Sequence, residues 1–224
     1  MSATAESTTK FEVASLDEME PAPQHEGRLR KHVRSELGIL GFGINAYGTT
    51  KADVPVIREH DESSPWSNGH EELYVVVSGR ATFTVDGEEI DAPAGTLVFV
   101  ADRNATRGAV ATRKGTQVLA IGGTPGEAYR ISAGEASGDW YAHYEAKQYE
   151  EGLAVLEATL PDYPGNPFLY YNIACCESLL GRRDEALEHL KIALASHEPF
   201  VELARDDRDL DPVRDDPRFE KLVA

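Results

Sequence analysis

The hydrophobic period of this chain changes near residue 123, and that change most restricts the folds it can adopt. Before it, short runs rich in β-branched and aromatic residues alternate with turn residues, which is typical of an all-β sandwich or barrel. These runs are 37–48, 54–59, 72–79, 80–87, 95–101, 108–113 and 116–123. After residue 139, apolar residues recur three and four positions apart, which predicts helices. The sequence therefore predicts an α+β multidomain protein, with a β domain followed by a small all-α domain.

Composition sets the expected domain boundaries. Residues 1–10 are small and polar and are expected to form a disordered tail. A stretch rich in Gly, Ser and Pro separates the two periodicities and predicts a linker over residues 124–139. The β domain is then expected to cover residues 11–123. The helical domain is expected to cover residues 140–224 and to end in an acidic cap.

The clearest local element is a hairpin around Asp86-Gly87. Ala81, Phe83 and Val85 alternate with threonines before it, which predicts one buried face. The neighbouring runs "LYVVV" and "TLVFV" are apolar on both faces, so both of their faces need a cover. A second subunit could provide that cover, and so could the rest of a jelly roll. We predict a homodimer on this basis.

Charge and composition exclude several classes of partner. The formal net charge is -17 at pH 7, which argues against nucleic acid and against an anionic membrane. No run approaches the ~20 apolar residues of a membrane span, and the first residues lack the features of a secretory signal. The two cysteines, Cys175 and Cys176, are adjacent and too close for an ordinary disulfide. A cytoplasmic location is therefore expected.

Two groups of residues in the β domain have the spacing of a known pair of motifs. Glu72 is followed after six residues by Gly79, and Gly87, Pro93 and Gly95 follow the pattern G-x5-P-x-G. These positions match the end of the first cupin motif and the start of the second, so this part of the chain resembles the cupin superfamily. The resemblance implies a jelly-roll β-barrel.

The chain departs from the cupin motifs where the family binds its metal. Val98 replaces the histidine of the second motif and cannot bind a metal, and Asp102 replaces its asparagine. The H-x-H pair is missing before Glu72. If one divalent metal (Fe, Mn, Zn or Ni) is bound, the resemblance implies His60, His70 and Glu72 as its ligands. Because the ligand spacing is broken, we expect no metal and no other cofactor.

Period two places His70, Glu72 and Tyr74 on one side of their strand. The cupin resemblance implies that this side faces the interior. An unpaired carboxylate is costly to bury, and Arg58 or Tyr74 is the candidate donor to Glu72. We expect an unknown small molecule to contact interior residues, namely Arg58, His70, Glu72, Tyr74 and Val98.

The helical part repeats itself. Aligning "QYEEGLAVLEATLPDYP" with "RRDEALEHLKIALASHEP" places Gly152 opposite Ala186 and Leu156 opposite Leu190. The offset is 34 residues at both pairs. This offset and the small residues Gly152 and Ala186 resemble the tetratricopeptide repeat, whose period is also about 34 residues. The resemblance implies helices that bind a protein or peptide partner, or that only stabilise the fold or a dimer. Because two units are fewer than a free-standing array needs, the helices are expected to pack against the β domain or a partner.

Three functions fit these observations. The first is a non-catalytic cupin-like barrel that binds or senses a small molecule, fused to a helical-repeat module for oligomerisation or protein interaction. The second is a metal-dependent cupin enzyme, a dioxygenase, isomerase or decarboxylase acting on a small organic acid or phenol. The third is a structural dimeric scaffold. No Ser/His/Asp order, phosphate-binding glycine loop or Cys/His pair is evident, so the first function is preferred and no catalytic residue is assigned.

Overall fold

The computed structural model describes residues 10–24, 27–63, 67, 69–138, 140–195 and 198–224. The chain divides into two compact units, Met1–Arg130 and Ile131–Ala224. The division falls inside the stretch predicted as a linker, whose limits remain a prediction. Of the tail predicted over residues 1–10, all but Lys10 lies outside the described residues.

The first unit is a sandwich of two antiparallel sheets. Its strands are β1 (Ala22–Pro23), β2 (Arg28–Lys31), β3 (Gly43–Thr49), β4 (Val54–His60), β5 (Glu71–Ser78), β6 (Arg80–Val85), β7 (Glu88–Pro93), β8 (Leu97–Val100), β9 (Arg107–Ala111) and β10 (Gln117–Gly123). A short helix, α1 (Val33–Glu36), lies between β2 and β3. One sheet has the strand order β1-β2-β3-β10-β5-β8, and the other has the order β4-β9-β6-β7.

This strand order is that of a jelly roll. From β3 onward, strands of the first half pair with strands of the second half: β3 with β10, β4 with β9, β5 with β8 and β6 with β7. The inner faces of the two sheets share one apolar cluster that includes Val56, Tyr74, Phe83 and Val118. The predicted jelly roll is confirmed at the level of strand topology.

The predicted hairpin is present between β6 and β7. Val85 pairs with Glu88, so Asp86 and Gly87 form a two-residue loop. Both loop residues have positive φ, 48° and 82°, as a type I′ turn requires. Phe83, on the buried face of β6, is fully excluded from solvent.

The structure differs from the sequence prediction at several elements. Strands β1 and β2 and helix α1 were not predicted, because they are short and show no clear alternation. The strand predicted over 37–48 begins only at Gly43. Strand β7 was predicted only as the second arm of the hairpin, without bounds, because three of its six residues are acidic. Its Ala92 is nevertheless buried, while the acidic side chains point outward or lie at the exposed edge.

The second unit is helical. Its helices are α2 (Ala133–Ala136), α3 (Trp140–Glu145), α4 (Tyr149–Thr159), α5 (Pro167–Leu179), α6 (Arg183–Leu194), α7 (Glu198–Asp206) and α8 (Pro217–Leu222), with 3-10 turns at Leu160–Asp162 and Arg208–Val213. Helix α5 packs against both α4 and α6. Helix α2 lies within the predicted linker and is capped at its N-terminus by Ser132, whose side chain accepts from the backbone N–H of Glu135. None of the described helices is long and apolar enough to cross a membrane.

Equivalent positions of the sequence repeat in α4 and α6 have the same burial. Leu156 and Leu190 are buried, as are Gly152 and Ala186. A Cβ on Gly152 would lie 3.4 Å from the carbonyl oxygen of Trp140, so α3 and α4 approach closely there. This pattern agrees with a helical repeat, and the assignment to the tetratricopeptide family stays a prediction.

The adjacent cysteines and the closing segment both contribute to the helical core. Cys175 and Cys176 are free thiols buried in α5, and burial raises the pKa of Cys176 to about 12. The acidic closing segment buries Leu210, Val213 and Phe219 in the cluster that also holds α6. The segment predicted as an acidic cap is therefore a packed part of this unit.

Candidate functional site

Glu72 lies at the centre of the candidate site, on the inner face of β5. Tyr74 and Val76 belong to the buried core, and Glu72 shares their side of the strand because side chains alternate. On β8, Val100 pairs with Glu72 and Val98 pairs with Tyr74. Both valines are buried, so β8 presents apolar side chains where the cupin resemblance implies a histidine.

Three polar side chains of the site contact the same oxygen of Glu72. Its Oε2 accepts from the Tyr74 hydroxyl at 2.6 Å and from Arg107 Nε at 3.0 Å, and it lies 3.3 Å from His60 Nε2. Burial alone would raise the pKa of Glu72. The hydrogen bonds from His60 and Tyr74 and the charges of His60 and Arg107 outweigh burial and lower this pKa. Glu72 is thus held as a carboxylate although its side chain is only 13% exposed.

Arg107 supplies a fixed positive charge from the first position of β9. Its side chain is 0% exposed. Nη1 donates to the carbonyl oxygen of Ala105 at 2.8 Å and lies 3.4 Å from that of Arg103, and Nη2 lies 3.5 Å from that of His70. The guanidinium is therefore compensated by the Glu72 carboxylate and by backbone oxygens, as a buried cation requires.

His60, the last residue of β4, is also held toward its charged form. Its Nδ1 lies 2.8 Å from the carbonyl oxygen of Arg58, while its Nε2 faces Glu72. Because both ring nitrogens face acceptors, only the imidazolium can donate to both. Burial opposes this charge, but the hydrogen bond and charge of Glu72, with the Arg58 carbonyl, outweigh burial and raise the pKa of His60.

Glu62 adds a second carboxyl group two residues beyond β4. Its Oε2 accepts from the backbone N–H of His70 at 3.4 Å. Burial, followed by the nearby Glu72 carboxylate, raises the pKa of Glu62. The site therefore contains two carboxyl groups whose pKa values are shifted in opposite directions, that of Glu72 downward and that of Glu62 upward.

His60, Glu62 and Glu72 are of the right chemical kind for a divalent metal. One ligand atom from each lies within 4.8 Å of the others, and the carbonyl oxygen of Arg58 holds the far nitrogen of His60 as in many metal sites. However, Oε2 of Glu72 already accepts from Arg107 Nε, and the positive charge of Arg107 repels a second cation beside this carboxylate. The donor set therefore fits a metal poorly while Arg107 is in place.

Three of the five residues predicted to contact a ligand are on the inner face of the sandwich, and the contact with a ligand stays a prediction. Glu72, Tyr74 and Val98 face the interior, and His60 reaches Glu72. His70 lies just before β5. It is not part of the group of three possible metal ligands, which contains Glu62 instead. The predicted ligand triple of His60, His70 and Glu72 is therefore not brought together among the described residues.

Of the two predicted donors to Glu72, Tyr74 donates to it, whereas Arg58 does not reach it and is not in the interior as predicted. Its side chain is on the exposed surface of β4, and only its carbonyl oxygen takes part in the site. Strand β4 changes register between Ile57 and His60, and such an irregularity breaks the alternation of side chains. The guanidinium that pairs with Glu72 belongs instead to Arg107.

Two residues of the site were missed from the sequence. A signal for Arg107 was present, since Ala109 and Ala111 of β9 are buried and period two places Arg107 on their side. The strand predicted over 108–113 began one residue too late to include it. Glu62 lies in a loop without periodicity, so no sequence pattern indicates its position.

No protein-family model matches this chain, and no curated protein matches it. Solved structures that it resembles are cupins. They include a cupin protein from Bacteroides fragilis, at 18% identity and a TM-score of 0.38, covering 55% of this chain and 92% of that one. A predicted oxalate decarboxylase from Thermotoga maritima has 16% identity and a TM-score of 0.41, covering 50% and 97%.

A third similar structure is a sugar phosphate isomerase of the cupin superfamily from Silicibacter pomeroyi. It has 16% identity and a TM-score of 0.42, covering 51% of this chain and 77% of that one. All three likenesses extend over about half of this chain. At these identities and TM-scores they carry no conclusion about ligand or reaction, so the chemistry has to be inferred from the site itself.

Proposed function

We propose that the β unit binds a small organic molecule inside the jelly roll without a metal, and that it does not catalyse a reaction. The observation that carries this proposal is the buried pair of Arg107 and Glu72. Arg107 supplies the positive charge that a metal would otherwise supply. On the neighbouring strand β8, Val98 and Val100 pair with Tyr74 and Glu72, and neither valine can bind a metal. His60 Nε2 lies 3.3 Å from Glu72 Oε2 and is proposed to exchange this contact for a hydrogen bond to the ligand, because Tyr74 and Arg107 still compensate the carboxylate. The carboxyl group of Glu62 is proposed as a second group that contacts the ligand.

We propose that the helical unit serves oligomerisation or protein interaction as a tetratricopeptide-like module. The equal burial of Leu156 and Leu190, at equivalent positions of the sequence repeat, supports this assignment. The protein is proposed to be a homodimer. A cytoplasmic location is also proposed, since both cysteines are free and a reducing compartment keeps them so.

A metal-dependent cupin enzyme is the second candidate. It is favoured by one observation, the convergence of His60, Glu62 and Glu72 within 4.8 Å. In that case the metal would be held by these three side chains and would polarise a bound substrate. Arg107 would then have to leave the Glu72 oxygen or share it with the metal.

Ligand binding in the presence of a chelator tests the proposal. A panel of small organic acids and phenols, added with EDTA, is expected to include compounds that raise the melting temperature. Replacement of His60 with Gln should weaken the binding of such a compound roughly tenfold, the factor that corresponds to 1.4 kcal/mol for one charged hydrogen bond.

The matched control is His143→Gln, a histidine of the helical unit that is hydrogen-bonded only to Gln148 among the contacts described. This variant should bind the compound as the unmodified protein does. A melting-temperature shift that appears only when a divalent metal is added would contradict binding without a metal and favour the enzyme.

A further inference from the structure

Two glycines leave a gap on the inner face of the six-stranded sheet. Gly122 of β10 pairs with Gly43 of β3 on one side and with Glu72 of β5 on the other. Residues that pair directly in antiparallel strands have their side chains on the same face. A Cβ on Gly122 would lie 3.4 Å from Cγ of Glu72 and 3.5 Å from Cβ of His70, so these two residues pack closely against Gly122. Gly43 also has no side chain, which leaves room for a ring on the inner face next to them. We call the space bounded by Gly43, Gly122 and His70 the glycine subsite.

Tyr129 fills the glycine subsite from outside the sheet. A Cβ built on Gly43 would lie 2.6 Å from the hydroxyl oxygen of Tyr129 and 2.8 Å from its ring carbon Cε2. The centroid of the same ring lies 5.5 Å from that of His70, with 31° between the planes. Tyr129 belongs to no strand or helix, and it reaches the inner face because the glycines leave room for an aromatic ring.

His70 has a polar atom in the glycine subsite that is not satisfied. Its Nε2 is buried and has no hydrogen-bond partner among the described residues. Burying a polar group without a partner is costly, and such a nitrogen is satisfied by a bound water, ion or ligand. The aromatic ring of Tyr129 contacts His70 but leaves this nitrogen without a partner.

We propose that the glycine subsite is the binding site for the aromatic ring of the ligand, and that Tyr129 is a built-in occupant which the ligand displaces. The ligand is a small phenol whose ring replaces that of Tyr129 and whose hydroxyl group bonds to His70 Nε2. This inference rests on the proposed function, since it names the ligand class of the same interior.

Displacement of Tyr129 also has a consequence for the chain that follows. Tyr129 lies two residues before Ile131, where the helical unit begins. A ligand that takes the place of Tyr129 therefore releases the segment 124–130 that leads into the helical unit. Ligand binding in the interior would in this way change the connection to that unit.

The test uses 4-methylphenol, which is a tyrosine side chain without its backbone. In the full-length Tyr129→Ala variant the internal competitor is absent, so 4-methylphenol should bind at least tenfold more tightly than to the unmodified protein, by calorimetry. Adding Gly43→Ala to this variant should weaken binding at least tenfold, because the new methyl group occupies the position of the ring. Adding Gly41→Ala instead is the control, since a Cβ there meets nothing within 4 Å.

A second measurement does not require a ligand. The single change Gly43→Ala should expel Tyr129 from the glycine subsite and increase chymotrypsin cleavage after Tyr129 at least tenfold, whereas Gly41→Ala should not. The proposal is overturned if Tyr129→Ala leaves the affinity for 4-methylphenol unchanged, or if Gly43→Ala does not affect it in that variant. Unchanged cleavage in Gly43→Ala would overturn it as well.

These outcomes are distinguishable from failure of the proposed function. If a stoichiometric metal is found at Glu72 while the results for Gly43 and Tyr129 hold, binding without a metal is wrong and the glycine subsite stands. If organic ligands bind in EDTA but do not respond to Gly43→Ala, the proposed function stands and the assignment of the glycine subsite is wrong.

Discussion

Replacing Arg107 with Met is expected to lower the free energy of unfolding of the β unit by about 3–5 kcal/mol, the cost of removing one partner of a buried ion pair. The guanidinium is fully buried and compensates the carboxylate of Glu72. Methionine fills a similar volume but leaves this carboxylate buried with one charged donor fewer. It also leaves the carbonyl oxygen of Ala105 without its hydrogen bond. Urea denaturation with hydrogen exchange of β5 measures the change.

Arg80→Met is the matched control, because Arg80 forms an ion pair with Asp91 on the exposed surface of the same unit. Exposed pairs contribute little, so this variant should unfold near the same urea concentration as the unmodified protein. The double variant Arg107→Met with Glu72→Gln should cost less than the sum of its single changes, since it removes the unpaired charge. If Arg107→Met costs no more than Arg80→Met, Arg107 does not support the site as described.

Replacing Phe99 with Asp is expected to convert the protein from a dimer to a monomer. Phe99 and Leu97 are 57% and 63% exposed on β8, which has only one neighbouring strand in the described sheet. In register with them on the outer face of β5 are Leu73 and Val75. We propose that a second copy of the chain covers this apolar edge.

Light scattering at micromolar concentration should give about twice the chain mass of 24.5 kDa for the unmodified protein and the chain mass for Phe99→Asp. A charge buried in such a contact is expected to weaken the dimer at least about a hundredfold, since it costs several kcal/mol. The control is Leu40→Asp, which changes an exposed apolar residue of the same unit in the segment before β3, away from β8. An unmodified protein that is monomeric, or a dimer that tolerates Phe99→Asp, would reject this interface.

Periodicity was sufficient to predict most of the fold. Alternation over Ala81, Phe83 and Val85, together with Asp86-Gly87, predicted the β6–β7 hairpin, because local turn chemistry and burial of one face act together there. The repeat in the helical sequence anticipated the equal burial of α4 and α6. Periodicity did not reveal β1 and β2 or the bounds of the acidic strand β7, because their positions depend on tertiary packing.

The site was harder to predict than the fold, for reasons seen at single residues. Glu72 and Tyr74 follow strand alternation, so their inward orientation could be read from the sequence. Arg58 was placed wrongly because the register change in β4 interrupts alternation. Tyr129 lies in the stretch expected to be a linker, and its contact with Gly43 depends on how a segment without periodicity folds back onto the sheet.

The metal content of the purified protein tests most directly the claim that Arg107 takes the place of a metal at Glu72. Iron, manganese, zinc, nickel and copper should be measured in protein prepared without chelator or affinity metal, alongside the Glu72→Ala variant. We predict metal well below one equivalent, unchanged in the variant. One equivalent of a single metal that is lost with Glu72→Ala would contradict binding without a metal and establish this as a metal site.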